Sequence, residues 1–240
     1  MRGRGLLPVI AISCLLTSDA SALVGETHEA GALAAHVVMV LKRDGSRSGF
    51  CSGVALSRRI VLTGAHCVAS LSDTRVHFMT AGGPALVEPS RIERHPAYRS
   101  DAVETRRVSI DLALIEAKED LPSSFVPAEL APRAPDIGDV VTIAGYGQRE
   151  DGATGKLAAL TLSLRAPLST VLMWLAAPRP PGGACDGDSG APVFDGNGRL
   201  AGVVAFAEGS AGRRCGKLTQ AVSVVPQRAW IERIVARWAR

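Results

Sequence analysis

The stretch GGACDGDSGAP, from Gly182 to Pro192, sets the hydroxyl of Ser189 beside the carboxylate of Asp188, with Gly187 and Gly190 on either side. Gly, Asp and Ser are turn formers, so a plain surface turn would accept every residue in it. Activating a serine as a nucleophile asks for more: a base working near neutral pH, usually histidine, and a carboxylate to orient that base. Among five histidines, His66 differs from the rest. It lies in VLTGAHCV, where an apolar strand runs out beside Cys67, whereas His28, His36, His77 and His95 sit in segments with no other catalytic feature and read as surface or structural residues. Asp111 is the matching acid. In VSIDLALIEA, strand alternation puts it on one face with Ala113 and Ile115, while Ile110, Leu112 and Leu114 share the other. A carboxylate among so many apolar residues is costly to bury unpaired, so it needs a donor, either a histidine N–H or an arginine such as Arg106 or Arg107.

The elements that must hold these groups read as strands. AHVVMVLK, RIVLTG, DLALIEA, DVVTIAGYG and LAGVVAFA are short runs rich in β-branched residues, several bounded by Gly, Asp or Ser, a pattern that favours a sandwich or barrel. Only the tail, VPQRAWIERIVARWAR, is helical: Trp230, Ile231, Ile234, Val235 and Trp238 recur on one face, and Pro226 suits the start. VPAELAPRAPDIGD, Val126 to Asp139, is Pro-rich and aperiodic and reads as a crossing between two halves. With 240 residues, 47% of them hydrophobic, the chain can bury one substantial core or two smaller ones and is not disordered. A net charge of +4, its basic residues scattered apart from groups such as GRR at Gly212 to Arg214, gives no nucleic-acid stripe.

The N-terminus carries a targeting pattern. MRGRG is a basic leader, LLPVIAISCLL an apolar stretch, and ASA at Ala20 to Ala22 a small-residue cleavage site, which together predict a secretory signal peptide over residues 1–22 and a mature start at Leu23. Lipidation at Cys14 is the rival reading. The apolar stretch is too short to anchor in a bilayer, and no later run is longer, so no membrane span is expected. Export leaves Cys51, Cys67, Cys185 and Cys215, which predict two disulfides with three possible connectivities. No Cys-x-x-Cys or His-Glu-x-x-His spacing occurs, so neither a metal nor any other cofactor is expected.

TGAHC, DLALI and GDSGAP, in that order, resemble the three signature segments of the chymotrypsin/trypsin family of serine endopeptidases. FCSGVALSRRIVLTGAHCV is similar to the family's first disulfide hairpin, IAGYG to its Gly-aromatic-Gly strand end, GVVAFA to its substrate-pairing strand, and the tail to its terminal helix. The resemblance implies an all-β fold of two antiparallel Greek-key six-stranded barrels with a C-terminal helix, divided as residues 23–131 and 132–240. It implies a secreted or periplasmic endopeptidase of bacterial type, acting on protein or peptide substrates and open to a protein inhibitor. Ser189 would be the nucleophile, His66 the base and then acid, and Asp111 the orienting carboxylate, with the N–H groups of Gly187 and Ser189 forming an oxyanion hole. Asp188 would pair with a freed Leu23 ammonium, because LVGE resembles the family's mature start, and the disulfides would be Cys51–Cys67 and Cys185–Cys215.

Departures from the family pattern bear on activation and specificity. ASA abuts LVGE directly, so signal cleavage alone would free the active terminus. Ala191 stands where a second glycine is common, Glu26 replaces a glycine, and the segment between GYG and Cys185 is short. Gly183, six before the serine, would be the floor of the primary pocket beside Ala184, with Ala205, Phe206 and Ala207 along the pairing strand. Without an acid at that floor, small or medium apolar residues are expected before the cut. Arg213, Arg214 and Lys217 could favour an acid there, or simply be a solvated loop. The alternative function is a catalytically silent homologue serving as a binding or regulatory module.

Overall fold

A computed structural model of the chain describes residues 23–105, 107–149, 152–167, 169–209 and 215–240. The signal sequence with Cys14, and Arg106, Arg213 and Arg214, lie outside the described residues.

Seven strands build the first sheet: β1 (Val37–Asp44), β2 (Arg47–Ala55), β3 (Ile60–Thr63), β4 (Thr74–Thr80), β5 (Gly83–Val87), β6 (Pro89–Arg94) and β7 (Ala113–Ala117), in the order β5-β4-β1-β2-β3-β7-β6. The expected count was six, and the seventh has a local cause. β5 and β6 are successive pieces of one run, interrupted at Glu88, where Pro89 has no N–H to continue a ladder and the register shifts. The first piece pairs with β4 and the second with β7, so one run occupies both ends of the sheet and the sheet wraps into a barrel. The second sheet closes with six strands, as expected: β8 (Val140–Gly145), β9 (Ala158–Arg165), β10 (Leu172–Ala176), β11 (Pro192–Phe194), β12 (Leu200–Gly209) and β13 (Gly216–Ser223), in the order β10-β13-β12-β11-β8-β9. One short helix, α1 (Ala102–Thr105), sits in the loop before β7, and α2 (Arg228–Trp238) ends the chain.

Side-chain alternation distributes β7 as its sequence dictates. Ala113 and Ile115 enter the core of the first barrel with Val38, Val40 and Val61. Leu112 and Leu114 face the opposite way, into a core between the barrels that also holds Phe194, Leu200 and the α2 residues Trp230, Ile231 and Ile234. The second barrel has its own core of Ile143, Leu162, Leu175 and Val193. Leu23 belongs to that core, for the segment entering the fold pairs with the second barrel, Val24 with Gly183 and His28 with Ala159. Boundaries shift by a few residues from the sequence reading. Gly31–His36 form a 3₁₀ helix ahead of β1, and Asp111 precedes β7 because its carboxylate is turned toward His66.

Candidate active site

His66 and Asp111 come from the first barrel and Ser189 from the second, and all three line one cleft of about 530 Å³ between the barrels. The His66 turn follows β3 as a three-residue 3₁₀ helix and is pinned from several sides. Arg94 donates to the carbonyls of Ala65 and Val68 at 3.2 and 2.6 Å, and Lys42 Nζ donates to the His66 carbonyl at 2.5 Å. The Cys51–Cys67 disulfide ties the residue beside His66 to β2.

Asp111 holds His66 twice. Its Oδ1 accepts the His66 backbone N–H at 2.9 Å, and its Oδ2 lies 2.5 Å from the ring Nδ1. A carboxylate only accepts, so Nδ1 carries the proton, and in the neutral ring Nε2 is then the acceptor. The Asp111 side chain is 14% exposed and that of His66 33%, which leaves the imidazole open to the cleft while its partner is largely covered. No arginine takes part, so of the two donors weighed for Asp111 the histidine is the one present among the described residues. The Ser189 hydroxyl makes no hydrogen bond with a described residue, and His66 Nε2 lies 3.6 Å from Cys67 Sγ. Catalytic contacts commonly lengthen without substrate and tighten around it. The other histidines serve the fold: His36 Nδ1 meets the Val126 carbonyl, His77 Nδ1 that of Ala85, and His28 Nδ1 that of Glu29. His95 packs edge-on against Trp230 and accepts the Ala97 N–H, and burial lowers its pKa.

The serine loop depends on two left-handed glycines. Gly187 has φ +94°, and a Cβ there would lie 2.3 Å from the Phe50 ring; Gly190 has φ +80°, and its Cβ would lie 2.1 Å from the Ser52 carbonyl oxygen. The first barrel therefore approaches the loop so closely that no side chain fits at either position. Within the loop, the N–H groups of Asp188, Gly190 and Ala191 bond to the carbonyls of Cys185, Val204 and Asp188. Those of Gly187 and Ser189 have no partner among the described residues. Two free donors in one turn are what a developing oxyanion requires. The Ser52 hydroxyl, fully buried on β2, accepts the Tyr146 N–H at 3.0 Å and donates to the Gly187 carbonyl at 3.1 Å. Sequence reading missed Ser52, since a single serine after a cysteine carries no pattern.

Asp188 is completely buried. Its two oxygens accept the N–H groups of Gly147 and Cys185 at 2.8 and 2.9 Å, and no cation faces it among the described residues. Burial pushes its carboxyl up to about 7 against the opposing pull of those two donors. Leu23 is equally buried, in the core that also holds Ala184 and Ala191, but its nitrogen is a peptide nitrogen here because Ala22 precedes it.

Ala205, Phe206 and Ala207 line the cleft, with the Cys185–Cys215 disulfide beside them. Gly183 and Ala184, expected at the pocket floor, are not among the residues lining this cleft. Both are buried: Gly183 pairs through its backbone with Val24, and the Ala184 N–H donates to Thr219 Oγ1 at 2.8 Å. A Cβ on Gly183 would come within 2.9 Å of that same Thr219 oxygen, so the hydroxyl occupies the space a larger floor residue would need. Lys217 is exposed and pairs with Glu208 at 2.6 Å.

Known proteins place this arrangement in context. A family model described as Trypsin matches residues 24–231. The chain is 26% identical over 216 residues to trypsin delta of Drosophila erecta, covering 80% of this chain and 81% of that protein. It is 27% identical over 226 residues to granzyme M of Rattus norvegicus, covering 81% and 83%. Among solved structures, neuropsin, a serine protease expressed in the limbic system of mouse brain, superposes with a TM-score of 0.68 at 20% identity, over 82% of this chain and 93% of that one. Human heparin binding protein gives 0.71 at 19% identity, over 88% and 96%.

Proposed function

The chain belongs to the trypsin family and is a serine endopeptidase acting on protein substrates, and from that premise we propose that Ser189, His66 and Asp111 are its catalytic triad. The observation that carries the assignment is the double grip of Asp111 on His66 in the cleft that Ser189 also lines. With Nδ1–H held by the carboxylate, Nε2 takes the Ser189 proton as Oγ attacks the scissile carbonyl, and Asp111 stabilises the imidazolium that forms. The carbonyl oxygen turns into the free N–H groups of Gly187 and Ser189, which meet its growing negative charge. His66 then protonates the leaving amine. Water repeats the sequence on the acyl-enzyme, attacking with His66 as base and releasing the acid product from Ser189.

Three finer readings accompany the triad. The residue before the cut is small or medium-sized and apolar, a reading supported by a cleft lined by Ala205, Phe206 and Ala207. The enzyme is exported, a reading supported by its two disulfides; among the described residues no helix is long and apolar enough to cross a membrane. Removal of residues 1–22 frees a Leu23 ammonium that pairs with Asp188, supported by the burial of both residues and by the missing cation at Asp188.

Labelling by a serine-directed fluorophosphonate tests the assignment, and Ser189→Ala should abolish it. Either Ser189→Ala or His66→Ala should lower peptide hydrolysis by up to about a millionfold while the melting temperature hardly moves. Parent-like turnover in either variant would remove the triad, and an unlabelled, properly folded parent would point to a silent homologue.

A further inference from the structure

Arg99 and Arg107 line the active cleft alongside Tyr98, Leu172 and Phe206, and neither guanidinium is paired with a described residue. Many arginines elsewhere are closed off by acids: Arg43 by Asp73 at 2.7 Å, Arg75 by Glu88 at 3.0 Å and Arg228 by Glu232 at 3.0 Å. The two cleft arginines stay open although Asp101 and Glu104 lie on the same loop. Asp111, a cleft carboxylate near them in sequence, is committed to His66. Their backbone is tied in place. The Arg99 N–H donates to Ser109 Oγ at 2.8 Å, that hydroxyl donates back to the Arg99 carbonyl, and the Arg107 N–H donates to the Ala102 carbonyl at 3.1 Å. A single unpaired arginine on a surface is ordinary solvation. Two in one substrate cleft that Asp186 also lines, neither of them paired with a described carboxylate, form a subsite able to receive a carboxylate.

We propose that this flank binds a carboxylate side chain of the substrate, so that the preferred peptides carry Asp or Glu two to four residues ahead of the cleaved bond. The proposal rests on the protease reading, in which the chain preceding that bond runs along Ala205, Phe206 and Ala207. A guanidinium fork matches a carboxylate in shape and charge, and it discriminates against the neutral amide of the same size. Both arginines are exposed, so the attraction acts through solvent and weakens as salt rises.

The test compares peptides that share an alanine before the cut and differ only by Glu or Gln at each of those three positions. For at least one position, kcat/KM should favour Glu by about tenfold, with the advantage shrinking as salt rises. In Arg99→Gln/Arg107→Gln the Glu-to-Gln ratio should fall close to one. Calorimetric binding of the same peptides to Ser189→Ala protein reads the preference without any turnover. Tighter binding of the Glu peptide there, even if the parent cleaves nothing, sustains the subsite and counts only against the triad. Equal binding and equal cleavage of Glu and Gln peptides, or a preference that survives in the double variant, overturns the subsite.

Discussion

Ser52 reaches three parts of the site with one side chain: it sits on β2 and bonds both the Gly187 carbonyl and the Tyr146 N–H. Ser52→Ala leaves that part-buried N–H and carbonyl short of a partner. The expected cost is about 1–3 kcal/mol of stability, with kcat falling roughly tenfold and KM little changed, because the loop that offers the free donors loses its brace. Steady-state kinetics beside urea unfolding would check it; an unchanged kcat would make the hydroxyl purely structural. Asp188 gives a pH signature. Without a cation its carboxyl titrates at about 7 in the fold and at about 3.9 when unfolded. The folded state then binds the extra proton between those limits, so stability is full below about pH 4, declines as pH rises, and levels off above about pH 7. A Leu23 ammonium would draw that value back down and abolish the decline. Melting curves of Ser189→Ala protein with and without residues 1–22, from acid to neutral pH, should differ in this way; identical profiles would deny the ion pair. His66, Asp111 and Ser189 were legible in the sequence because each is a reactive type in an otherwise apolar or glycine-rich run. Ser52 and Thr219 were not, because their importance comes from what β2 and β13 bring within 3 Å of the loop.

At the level of elements, the serine loop is tied at one end by the Cys185–Cys215 disulfide, which spans 30 residues and joins it to the segment entering β13. Replacing both cysteines by alanine should cost about 3 kcal/mol in loop entropy. Activity should suffer more than that cost alone explains, since the same bond flanks the cleft, and rates measured well below the variant's melting temperature would separate the two effects. Survival of parental kcat/KM there would leave the disulfide a role in stability alone. β3, β8, β12 and α2 could be read from the sequence within a few residues, because their apolar runs are continuous or strictly periodic. The break between β5 and β6 could not, for it comes from the two pieces of one run meeting different neighbours, β4 before Pro89 and β7 from it onward. The docking of Leu23 and Val24 on the second barrel was legible only through the likeness of LVGE to the family's mature start, since no local periodicity records it.

The molecule as a whole is held together by the core between its barrels, to which α2 contributes Trp230 and β7 and β11 contribute Leu114 and Phe194. Trp230→Ala should cost about 3–5 kcal/mol. Trp230→Phe should cost much less, because the indole N–H is buried without a hydrogen-bond partner among the described residues and its removal forfeits none. Calorimetric melting would rank the two, and an equal loss would mean that the N–H is satisfied in solution. Because the base and the nucleophile stand on different barrels, activity in the alanine variant should vanish at the temperature where this core opens. The wrapped first sheet has a separate consequence. A flat sheet ends in two rows of unpaired N–H and C=O groups, which invite a second molecule to add a strand. Here the two margins are β5 and β6, each paired on one side only, and both belong to the single run that passes through Pro89. A second molecule adding a strand would therefore meet only five residues of β5 or six of β6, two short pieces that share one break at Pro89, which keeps the template for amyloid-like growth small.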